Sequence, residues 1–198
     1  MNALANDQVG DFVNQHFVAS YKKVGTFQKA GTAKQGGNVA TYICLPDETV
    51  LHVIPGPVNA DAFLREARWA VDVYESAVME SNGSRQALRN YIRTAHALRY
   101  ETEHMRPGQF DRPGRSGRSA DVSAKEVRSR QVRAMMAPQS AVELNDRMPR
   151  SQPNGVSLLG QGHWLMWSDP LPKLGTVYKT VWTQILREPL TDIPVVVR

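Results

Sequence analysis

The chain has 198 residues, 41% of them hydrophobic and 22% charged, which is close to the globular average and sufficient for a packed core in one domain, with or without an appended region. Its single cysteine, Cys44, excludes an intramolecular disulfide and any multi-cysteine metal site. The net charge of +5 is concentrated: from Arg106 to Arg133 eight basic residues face three acids, so the excess belongs to one segment and not to a basic fold surface.

No apolar run reaches the length of a bilayer span, and Met1 to Asp7 has neither a basic start nor an apolar stretch of the signal-peptide kind. With one cysteine, a reducing, cytoplasmic setting is the expectation. Leu4, Val9, Phe12 and Val13 are spaced for one side of a short helix, with Asn6 or Asp7 as its cap. Phe17 to Tyr21 is a short β-prone run, and the polar, Gly-rich text from Lys22 to Gly37 reads as a loop with a helical turn near Phe27. Val39–Cys44 and Thr49–Ile54 are strand-like runs joined by Leu45-Pro46-Asp47-Glu48, which predicts an antiparallel hairpin.

Pro55, Gly56 and Pro57 stop the second strand, and Asn59 caps a helix with the apolar stripe Phe63, Ala67, Ala70, Tyr74 and Ala77. Asn82-Gly83-Ser84 breaks the pattern, and Leu88, Ile92, Ala95 and Leu98 mark a second long helix ending before Pro107. Residues 106–119 carry one aromatic, Phe110, among Pro, Gly, Arg and Ser, and read as a flexible linker that cannot offset its ordering entropy. Ser123–Glu126 and Ser140–Glu143 match capping boxes for two shorter helices. Met148 to Gly162 is turn-rich. The tail predicts an amphipathic helix with Leu174, Val177, Tyr178, Val181 and Ile185 on one side, between Asp169–Pro172 and Pro189. Ile193–Val197 reads as a terminal edge strand.

Few residues carry a recognisable chemistry. His96, Glu101, Glu103 and His104 form the one local cluster of metal-ligand types, but only Glu101 and His104 are spaced as helical neighbours, so a solvated helix face is the reading. His16, His52 and His163 stand isolated in the sequence, and no metal centre or cofactor is expected. No nucleophile elbow or phosphate-binding loop is present, and no catalytic residue is assigned. Cys44, flanked by Ile43 and Leu45, reads as a small buried hydrophobe. His163-Trp-Leu-Met-Trp167 reads as an aromatic segment packing the C-terminal helix on the domain, joined by Trp182.

The order of these elements resembles the second half of a thioredoxin fold. His16-Phe17-Val18 after a helix resembles a strand entry of that superfamily. Val39-Ala40-Thr41 lies where thioredoxins carry an apolar residue, a cis-proline and a threonine. Pro46 to Gly56 is similar to the hairpin that precedes their final helix. The resemblance covers about residues 5–80 and implies an α/β thioredoxin-like fold, incomplete at its N-terminus, with a mostly helical C-terminal extension. The implied division is 1–81 for the thioredoxin-like part, 82–105 for a long helix, 106–119 for the linker and 120–198 for the helical region.

Two departures bear on function. No Cys-x-x-C occurs, and the cis-proline position is Ala40, whose cis bond would cost about 2.5–4 kcal/mol. The resemblance therefore implies a redox-inactive module that binds protein or peptide at the turn of Gly37, Asn38, Val39, Ala40 and Thr41. A central strand of the superfamily has no counterpart, leaving a fragment with a late start, a substitute strand such as Val195–Val197, or a second copy that completes the sheet. The alternative is a thiol–disulfide oxidoreductase whose dithiol lies upstream. Nucleic-acid association through the Arg-rich stretch ranks below both, and no membrane partner is expected.

Overall fold

The computed structural model describes residues 3–22, 28–30, 33–35, 38–105, 128–136, 143, 146, 148, 155–188 and 190. The architecture is mixed α/β and mostly helical. Helix α1 is Asp7–His16, with Asn6 as its cap: the Asn6 side chain accepts from the backbone N–H groups of Gln8 and Val9. Two antiparallel pairs follow, β1 (Gln28–Ala30) with β2 (Ala33–Gln35), and β3 (Ala40–Cys44) with β4 (Val50–Pro55). Helix α2 is Ala60–Ser81 and α3 is Arg85–Met105. A helical run covers residues 128–135. Helix α4 is Leu158–Ser168, α5 is Leu174–Thr180, and a π-helical turn, Val181–Ile185, continues α5.

The β3–β4 hairpin and the caps around α2 follow the sequence expectation. Asn59 accepts from the Ala62 N–H at 2.8 Å and opens α2. Asn82 (φ 45°) and Gly83 (φ 81°) close it in the left-handed region, and the Ser84 hydroxyl accepts from the Ala87 N–H to restart the helix. Helix α5 and its π turn occupy the predicted tail. The linker at 106–119, the capping boxes at Ser123 and Ser140 up to Val142, Phe27, Pro189 and the Ile193–Val197 run lie outside the described residues.

Three expectations are corrected. Phe17–Tyr21 forms no strand: Val18 and Tyr21 are 99% and 92% exposed, with no neighbouring strand among the described residues to pair them. The Lys22–Gly37 loop contains the β1–β2 pair, whose Gln-Lys-Ala and Ala-Lys-Gln sequences carry no apolar alternation to mark a strand. The turn-rich reading of Met148–Gly162 ends early, since Ser157 caps α4 through the Gly160 N–H. Gly160 and Gly162 there are not turn residues. A Cβ on Gly162 would stand 2.7 Å from the Val53 carbonyl oxygen, so this glycine lets α4 lie directly against β4.

Strand β4 is the centre of the packing, buried along its whole length. Leu51 and Ile54 join a cluster with Phe63, Leu64, Ala67, Trp69 and Ala70 of α2 and Ile92 and Ala95 of α3. Val50 and Val53 join a second cluster with Leu165, Met166, Val177, Val181, Trp182 and Ile185. The hairpin is thus enclosed between the two long helices and the C-terminal segment. That segment also closes one end of β4: the Val50 N–H donates to the Pro172 carbonyl, and Thr49 bridges Lys173. Asp47 fastens the corner, accepting from the Thr49 N–H and hydroxyl and from Lys173 Nζ at 2.7 Å.

Two outcomes test this packing. Gly162→Ala should destabilise the chain by about 1–3 kcal/mol in urea unfolding, while Gly175→Ala, with open space at its Cβ, should not. The Lys173 and Thr49 bonds hold the Asp47 carboxyl down at about 2. A lowered carboxyl pKa stabilises above the unfolded value near ~3.9, and the contribution fades as pH falls from there to the folded value. Asp47→Asn should therefore lower the melting temperature at pH 7 and lower it by clearly less near pH 2.

Candidate functional site

Two places on the fold combine chemistry with placement. The first is the turn into β3. Asn38 donates from its side-chain amide to Glu188 Oε1 at 2.8 Å, which ties the turn to the end of the C-terminal segment. Val39 is 43% exposed, and Ala40 and Thr41 are half-buried. Gly37 lies outside the described residues. The Gly56 N–H donates to the Val39 carbonyl at 2.7 Å, and Ala40, Thr41, Tyr42 and Ile43 stand opposite Pro55, Ile54, Val53 and His52.

In an antiparallel ladder the bonded pairs alternate with unbonded ones. Val39, Thr41 and Ile43 therefore bond inward to β4, while the N–H and C=O groups of Ala40 and Tyr42 point to the other side. Pro55, which has no N–H, sits opposite Ala40 in an unbonded pair, as that alternation requires. Among the described residues no strand lies on that outer side of β3. All described peptide bonds are trans, including the one at Ala40. Cys44, at the end of β3, is half-buried, and burial pushes its thiol pKa up, so it is a poor nucleophile.

The second place is in the interior. The register of β3 and β4 shifts between Ile43 and Cys44, which skips Leu51 on β4. Its carbonyl turns to α3 and accepts from His96 Nε2 at 3.0 Å. His96 Nδ1 stands 2.9 Å from Nδ1 of His163 on α4. The other nitrogen of His163, Nε2, lies 3.3 Å from Glu66 Oε2 on α2. His52 on β4 stacks on His163 with ring centroids 4.6 Å apart, and its Nε2 is 3.5 Å from the same carboxylate oxygen without hydrogen-bond geometry. Trp69 presents itself edge-on to all three imidazoles at 4.8 to 5.2 Å.

All three histidines and Glu66 have no exposed surface. Burial raises the Glu66 carboxyl, but contacts with His163 and His52 and the Arg99 charge outweigh it and hold the group well below its ordinary range. Arg99 donates to Glu66 Oε1 at 2.7 Å. Burial, then the neighbouring histidines, pushes His96 well below its usual value; burial pushes His163 down to about 3, against the pull of Glu66.

The sequence reading of these residues is corrected here. His96 is not on a solvated helix face: it is fully buried, on the same side of α3 as Ile92 and Ala95. His52 and His163, isolated in the chain, meet it in space. His16 stays apart, in tilted ring contact with Phe12 and Phe17. Glu66 was not singled out by the sequence, although it falls on the α2 stripe between Phe63 and Ala70. Comparison with family models, with curated proteins and with solved structures finds no match for this chain.

Removing one member of a buried ion pair leaves the other uncompensated, at about 3–5 kcal/mol. Glu66→Ala should therefore destabilise the chain by about 3–5 kcal/mol in denaturant unfolding, because it removes the buried carboxylate that Arg99 and His163 both contact. A cost under ~1 kcal/mol would show that water reaches the cluster.

Proposed function

We propose that this chain is a non-enzymatic binding module that takes a protein partner in extended conformation along the outer edge of β3. The observation that carries the reading is the outward alternation of Ala40 and Tyr42 beside the exposed Val39, a row of backbone donors and acceptors with no strand next to it among the described residues. An added strand supplies main-chain hydrogen bonds, and side chains on alternate positions supply selectivity. Val39 and Thr41 would form those side-chain contacts on the partner's near side.

The resemblance to the thioredoxin-like superfamily supports the same surface, since that superfamily receives polypeptide at the turn matched by Val39-Ala40-Thr41. The β3–β4 hairpin followed by the long α2 is the local arrangement on which that reading rests. The chain contains one cysteine and so no dithiol, which favours binding over thiol exchange. A protein partner, or a second copy that extends the sheet, fits this edge.

Residue-resolved amide exchange on the full chain tests the reading. The Thr41 and Ile43 amides should exchange slowly and the Ala40 and Tyr42 amides quickly. An extended peptide selected by display against the chain should protect Ala40 and Tyr42, and Ala40→Pro, which removes one outward N–H and no inward one, should weaken that peptide's binding. Slow exchange at Ala40 and Tyr42 without peptide, or a peptide footprint elsewhere, would contradict it.

A further inference from the structure

The interior cluster has fewer N–H groups than its contacts require. The Leu51 carbonyl only accepts, so His96 must present a hydrogen on Nε2. The Glu66 carboxylate, held ionised beside Arg99, also only accepts, so His163 must present one on its Nε2. A neutral imidazole carries one N–H. Both Nδ1 atoms are then lone pairs, and they face each other at 2.9 Å. Two lone pairs at that separation repel each other unless a cation, a proton or a metal ion, lies between them. His52, stacked on His163, has no hydrogen-bond partner on either ring nitrogen. One ligand atom from each of the three rings lies within 4.8 Å of the others.

We propose that His52, His96 and His163 form a buried three-nitrogen site for one divalent transition-metal ion of the imidazole-preferring class, Zn(II) foremost. For two of the three rings, His96 and His163, the surroundings match what such ligands need. A metal-bound histidine usually donates its second N–H to a carbonyl or a carboxylate, which fixes the ring and leaves the other nitrogen free to ligate. Leu51 does this for His96 and Glu66 for His163, and Arg99 in turn fixes Glu66. Three nitrogens favour Zn(II), Ni(II), Co(II) or Cu(II) over the oxygen-seeking Mg(II) and Ca(II).

Distances fit as well. Two nitrogens bound tetrahedrally at about 2.0–2.1 Å stand roughly 3.3 Å apart, so the His96–His163 pair needs to part by only a few tenths of an ångström. The three rings are fully buried and pack against Trp69. The ion would therefore be structural, joining β4, α3 and α4. This inference stands apart from the binding edge on β3.

The test uses the full chain, stripped with chelator and titrated with Zn(II) and, as a spectroscopic probe, Co(II). One equivalent should bind per chain, with visible d–d absorption for Co(II). His52→Ala and His163→Gln should each weaken binding by at least ~10-fold, and His16→Ala should not. No saturable uptake by the folded chain would overturn the proposal, leaving a shared proton as the cation; so would unchanged affinity in both variants. Should the variants not fold, diffraction from Zn(II)-loaded crystals of the unsubstituted chain at the zinc edge decides. An anomalous peak among the three rings supports the site, and its absence there overturns it.

Discussion

A carboxylate with no exposed surface has to be compensated where it stands, and Glu66 sets the terms for everything packed around it. Its two oxygens are divided between Arg99 and Arg65 on one side and His163 and His52 on the other. Satisfying them brings together α2, α3, α4 and β4, which are the elements that enclose the hairpin. Apolar burial supplies most of the cohesion, but it is tolerant of small slides. A charged group with fixed partners is not, and it specifies one arrangement of these four elements.

The bulge at Leu51 belongs to the same arrangement. An extra residue in β4 frees one carbonyl from the ladder, and His96 is the group that takes it. Gly162 serves the other side, letting α4 come close enough for His163, the next residue, to reach Glu66 and His96. A backbone irregularity and a missing side chain thus place the two rings whose Nδ1 atoms meet. On the opposite side of the hairpin, Pro172 and Lys173 close one end of β4, whereas among the described residues no strand lies along the outer side of β3.

What the sequence revealed was local. The Pro46-Asp47 turn, the Asn59 cap and the Asn82-Gly83 break each act within four residues, and each is found where its chemistry predicts. The β1–β2 pair and the absence of a strand at Phe17–Tyr21 were not legible, because pairing depends on a partner strand and not on the run itself. The interior cluster draws on positions 52, 66, 96 and 163, and no spacing rule joins them. A weaker signal was present: Glu66 and His96 both lie on the apolar stripes of their helices, and His52 interrupts Val50-Leu51 and Val53-Ile54. Polar residues at core positions are uncommon enough to mark a shared purpose.

Which nitrogen of each ring carries hydrogen decides how the His96–His163 contact is made. Imidazole nitrogen–proton correlation spectra of the full chain, recorded at neutral pH, read this directly. They should show both His96 and His163 protonated at Nε2, with the two Nδ1 atoms sharing one cation. A neutral ring of either residue carrying its hydrogen on Nδ1 would make the 2.9 Å contact an ordinary hydrogen bond and contradict the account.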